Sequence, residues 1–135
     1  MLRLKKGGAY VMSKYTGVII EESLKDAQVL DNLKITNTKI EQVTPSHETP
    51  HLKQWTLHSV DLDSEDLDSI ANKISHNLLP AWFVHFYDND NFVVVFPEKV
   101  FTFAKSDKVA RAEVEQYGIS IGIPPHQMDL AEFFV

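Results

Sequence analysis

Ser64-Glu-Asp-Leu-Asp-Ser-Ile-Ala-Asn-Lys-Ile-Ser-His-Asn-Leu-Leu79, closed by Pro80, precedes three short apolar runs: Trp82–Tyr87, Phe92–Phe96 and Lys99–Phe103. Leu67, Ile70, Ala71, Ile74 and Leu78 recur at the 3.6-residue spacing of one helix face. Asp63 or Ser64 is placed to cap that helix, and Glu65 and Asp66 suit the positive end of its dipole. The three runs that follow have strand length and strand composition. Asp88-Asn-Asp-Asn91 and Pro97-Glu98 between them predict two hairpin turns.

Working outward, Gly17–Glu21 predicts a first strand, and Leu24–Asn32 a short helix capped by Ser23. Lys34–Val43 is rich in β-branched residues but alternates weakly, which suits an edge strand. Thr44–Pro50 is a loop, and Leu52–Leu62 is a second extended run. A last helix is expected from Asp107 to Tyr117, capped by Ser106 and stopped by Gly118. The apolar tail Ile119–Val135 should pack on the body, with one helical turn after Pro124. The order β-α-β-β-α-β-β-β-α predicts an α+β fold. Its antiparallel sheet should have five to six strands, with helices mainly on one face. The first six elements follow the ferredoxin-like β-α-β-β-α-β pattern, with an extra hairpin and a C-terminal helix.

A chain of 135 residues suits one domain. Nineteen acidic against 13 basic residues give a net charge of −6, the wrong sign for gripping nucleic acid or an anionic membrane. The chain has no cysteine, so disulfides and thiolate metal sites are excluded. No apolar run approaches the roughly 20 residues of a membrane-spanning helix. These features predict a cytoplasmic protein. Arg3, Lys5 and Lys6 take three of the basic residues, so the remainder holds ten against 19 acidic, a net of −9. Lys5-Lys-Gly-Gly8 can be encoded as AAG-AAA-GGA-GGN, which contains AAGGAGG, a purine-rich ribosome-binding sequence, a short distance ahead of Met12. Residues 1–11 are thus expected to be a translated leader or a basic arm, and 12–135 the α+β domain.

Helices on one face leave the other to be explained. Trp82, Val84 and Phe86 alternate with Phe83, His85 and Tyr87, and both sets are apolar or aromatic. Trp55 and Leu57 alternate with Gln54, Thr56 and His58. Three things can cover such a face: the C-terminal tail, a second subunit making a homodimer through the sheet face, or a ligand.

Of six histidines, His47, His51, His76 and His126 are expected at the surface. His58 and His85 lie inside predicted strands. Sharing a face with Tyr87, Gln54 and Glu21 or Glu22, they would offer two imidazoles and a carboxylate, the minimum for a metal or general-base site. An ordinary hydrogen-bonded strand histidine is the competing explanation, since no HxH or HExxH spacing is present. Asp61–Asp66 lacks the glycine and terminal glutamate of an EF-hand, so no metal site is assigned. With no phosphate-binding glycine loop and no Gly-x-Ser-x-Gly elbow, no cofactor and no hydrolase nucleophile are predicted. The leading expectation is a binding or regulatory module. The alternative is an enzyme or metal-binding protein centred on His58 and His85, with Glu22 and Tyr87.

Val18-Ile-Ile-Glu-Glu-Ser-Leu-Lys25, Trp55-Thr-Leu-His58 and Tyr117-Gly-Ile-Ser-Ile-Gly-Ile-Pro124, with Gln127 and Asp129, complete the picture. The chain resembles a family of small uncharacterised prokaryotic proteins that end soon after a Gly-Ile-Pro-x-x-Gln-x-Asp segment. The resemblance runs from about Ser13 to Leu130. It implies a single domain with these boundaries and brings no activity, ligand or catalytic residue.

Overall fold

Side chains alternate across a strand, so each strand's burial pattern assigns its two faces. In the computed structural model, which describes residues 2–4, 10–12 and 14–133, six strands form one antiparallel sheet. Leu2–Leu4 (β1) and Tyr10–Met12 (β2) pair as a separate hairpin. Residues 1 and 5–9 of the expected leader lie outside the described residues. The main sheet contains Lys14–Ile20 (β3), Lys34–Gln42 (β4), Gln54–Asp63 (β5), Val84–Tyr87 (β6), Asn91–Phe96 (β7) and Lys99–Ala104 (β8). Their spatial order is β4-β5-β3-β6-β7-β8. β4 is the edge strand its weak alternation predicted.

The helix Ser64–Ser75 (α1) starts after Asp63. The last helix, Lys108–Ser120 (α2), is capped by Asp107, whose carboxylate accepts the Ala110 N–H at 3.0 Å, and not by Ser106. Nor does Gly118 stop it. That residue is buried against Met128 and Phe96, and the chain turns away only at Gly122, where φ is 105°. The expected helix over Leu24–Asn32 is a 3-10 segment, Ala27–Asn32, capped by Asp26. Ser23 instead bonds the carbonyl of Ile20 at 2.5 Å. A short segment with one apolar stripe fits either kind of helix, and the capping carboxylate of Asp26 sets its start.

The helices do not share a face. On the first face, Tyr15, Ile19, Val60, Phe86 and Val95 pack against Leu67, Ala71 and Ile74 of α1 and against Leu30. On the second, Phe92, Val94, Phe96 and Phe103 pack against Val114 of α2 and against Ile123, Met128 and Leu130 of the tail. β7 is therefore covered on both sides, and every residue from Phe92 to Phe96 is at most 2% exposed. An apolar stripe shows that a helix has a buried side, and it carries no information about which sheet face receives it. The tail does cover the second face, as one of the three alternatives expected, but only beneath β7 and β8. Among the described residues, the part made by β3, β5 and β6 is left open.

Candidate functional site

The open part of the second face is a cavity of about 540 Å3. Its floor is the same-facing set of three adjacent strands: Thr16, Val18 and Ile20 of β3, Trp55, Leu57 and Ser59 of β5, and His85 and Tyr87 of β6. Phe83, Trp82 and Ala81, from the segment that enters β6, form a wall. His126 and Gln127, in the 3-10 turn Pro125–Gln127, form part of the rim. The two tryptophans of the protein both line this cavity, their rings meeting edge to face at 5.2 Å. Among the described residues, the lining contains no Asp, Glu, Lys or Arg.

A second contact network holds the rim. Gln127 Nε2 donates to the carbonyl of His47 at 2.9 Å, and the His126 ring meets the carbonyl of Ser46 at 2.9 Å. His47 packs edge-on against Trp55 at 4.3 Å and bonds Glu41 at 3.0 Å. Trp55 donates its indole N–H to Thr49 Oγ1 at 3.0 Å. The loop around 44–50 and the C-terminal turn are thus joined over one end of the cavity. His47 is half-buried by this packing, where the sequence predicted it at the surface, while His51, His76 and His126 are exposed as expected.

His85, 9% exposed, lies among the rings of Phe83, Tyr87 and Phe92, at centroid distances of 6.0 to 6.3 Å. Burial pushes its pKa down to about 4, because a charged imidazole loses its hydration there. The ring is neutral at pH 7. Tyr87 stacks beside it and shares its face.

His58 does not join them. It pairs with Ile19 in the β3–β5 register, whereas His85 pairs with Val18 in the β3–β6 register. One step along β3 reverses the face, so the two histidines lie on opposite sides of the sheet. His58 Nε2 meets Glu21 Oε1 at 2.9 Å, and its Nδ1 meets Thr38 Oγ1 at 2.8 Å. In a neutral ring, a proton on Nε2 toward the carboxylate leaves Nδ1 to accept from the Thr38 hydroxyl. Glu22 turns to Thr56, accepting its backbone N–H at 2.6 Å and its hydroxyl at 2.8 Å. The four sequence candidates therefore divide into His85 with Tyr87 on the cavity side, and His58 and Glu22 on the other. Among the described residues no group of three or more His, Cys, Asp or Glu side chains is arranged to hold a metal. No described helix is long and apolar enough to cross a membrane.

The sequence candidates missed Trp82, Trp55, His126 and Gln127 as cavity residues. Trp55 and Leu57 alternating on β5 were the available signal for the floor. His126 and Gln127 gave none, because their position depends on a contact about 80 residues away in the chain. No protein-family model matches this chain, and no curated protein or solved structure is significantly similar to it.

Proposed function

We propose that the protein is a binding module for a small, uncharged, largely aromatic molecule held in the cavity on the second sheet face. The observation that carries this is the cavity itself: apolar and aromatic over most of its lining, without Asp, Glu, Lys or Arg among the described residues that line it, and of ligand size. Trp55 and Trp82 offer ring faces and edges for stacking. Thr16, Ser59 and the neutral imidazole of His85 supply the few polar groups that orient a ligand. Burying an ion here would leave its charge without a counter-charge, which is costly.

The test follows the two indole N–H signals by NMR during titration with 2-naphthol, which is neutral at pH 7, and with 2-naphthoate, an anion of similar shape. Saturable shifts of both signals with 2-naphthol, and binding of 2-naphthoate weaker by about tenfold or more, are expected. No saturable shift with 2-naphthol would remove the binding reading.

A second reading, an enzyme, draws on the line Thr38–His58–Glu21. A hydroxyl, an imidazole and a carboxylate in sequence is how hydrolases activate a nucleophile. It predicts turnover of p-nitrophenyl acetate that is lost in His58→Ala; equal rates in both proteins would exclude it.

The strand order β6-β3-β5-β4 supports the finer, ferredoxin-like view of the fold, with the first helix reduced to 3-10 turns. The Tyr117–Pro124 segment supports placing the chain with the small prokaryotic proteins it resembles.

A further inference from the structure

β4 is nine residues long, and in the described sheet it has a strand neighbour on one side only. Every residue of it except Glu41 is exposed, including Ile35 at 40% and Ile40 at 55%. Two large apolar side chains on an open strand edge are a template for pairing with another strand. The question is which strand the edge fits.

We propose that β4 pairs antiparallel with β4 of a second copy of this chain, joining two six-stranded sheets edge to edge across a two-fold axis at Thr38. The register follows from a bulge. Ile35 faces Val60 and Asn37 faces Ser59, so Thr36 is an extra residue and shifts the alternation by one. Lys34, Asn37, Lys39 and Glu41 consequently share the cavity face, and Ile35, Thr38 and Ile40 share the face of α1. With Thr38 opposite Thr38, Asn37 lies opposite Lys39. Passing the bulge on each strand, Ile35 then lies opposite Ile40, and Lys34 opposite Glu41. Every pair belongs to one face, as pairing requires. Both exposed isoleucines meet an isoleucine, and Lys34 meets a carboxylate, and the symmetry repeats each pair twice. Glu41 already holds Lys39 at 3.9 Å and His47 at 3.0 Å, which fixes the carboxylate before Lys34 of the second copy arrives. A strand of unrelated sequence has no reason to supply this complement, so the fit favours the chain's own copy.

The test is sedimentation equilibrium on the full chain and on four variants, with circular dichroism to verify folding. The wild type is expected to move from 15.4 kDa toward twice that mass as concentration rises. Lys34→Glu and Glu41→Lys each place like charges opposite one another twice, and each should weaken the dimer by about tenfold. The double variant K34E/E41K restores the attraction and should recover dimerisation to within about threefold of wild type. Ile40→Lys, at an exposed site that the monomer does not need, should leave a folded monomer. A monomer at every concentration tested would overturn the proposal. So would a dimer that the four variants leave unchanged, since that dimer would form through another surface.

Discussion

His58 and His85 flank the same strand at neighbouring positions and live in opposite worlds. His58 is held between a carboxylate and a hydroxyl, 8% exposed, under a part of the sheet where β4 and the turn at Glu21 meet. His85 is almost equally buried, yet aromatic rings surround it and its pKa falls to about 4. Two almost equally buried strand histidines thus have different neighbours, and a single step of strand parity decides which neighbours each one meets. His58 ties three segments together, and His85 keeps a neutral polar edge in an apolar cavity.

The comparison breaks most completely if the strand between the two residues is displaced. A side chain at Gly17 would collide with the carbonyl of His85 and the ring of Phe86. Gly17→Val is expected to destabilise the protein by about 3 kcal/mol or more, because both obstacles belong to the buried core. Urea denaturation measures this, and a midpoint near that of wild type would show that β6 yields easily. Next in size is the effect of acid. The unfolded chain takes up a proton at His85 near pH 6.5, while the folded chain resists until about pH 4. The unfolded state therefore binds more protons across that window, and this stability is present above pH 6.5 and is lost as pH falls toward 4. The whole step is about 3 kcal/mol at most. His85→Phe should flatten the stability profile between pH 6.5 and 4, whereas an unchanged slope would assign the acid sensitivity elsewhere. The smallest effect belongs to His58→Ala. It removes the bonds to Glu21 and Thr38 but leaves both partners near water, for a loss of about 1–2 kcal/mol. A loss as large as that of Gly17→Val would mean that the tie holds far more of the fold than its contacts suggest.

Much of this arrangement was legible in local pattern. The helix after Asp63, the hairpins at Asp88 and Pro97, the edge character of β4 and the apolar nature of both faces of β7 all follow from spacing and turn chemistry. Which face each strand residue takes was not legible, because alternation within one strand has no common origin with alternation in the next. The register of β5 and β6 on β3 supplies that origin, and it divides His58 and Glu22 from His85 and Tyr87. The bulge at Thr36 gave no signal in a run of β-branched residues, although it sets the face of everything after it in β4. The placement of α2 opposite α1 depends on long-range packing against Phe92 and Phe96. The cavity was foreseen only as one of three ways to cover an apolar face; the structure places the tail over one half of that face and a cavity in the other.

The bond from Gln127 to His47 spans 80 residues of chain. Closing a loop of that length is entropically slow to reward, since neither end gains anything until both are nearly in place. On a ribosome, the strands of the cavity floor emerge before the turn that completes the mouth. Order of synthesis thus separates a sheet that can assemble early from a rim that must wait. The cavity floor can therefore be in place before the contact that narrows its mouth has both of its ends.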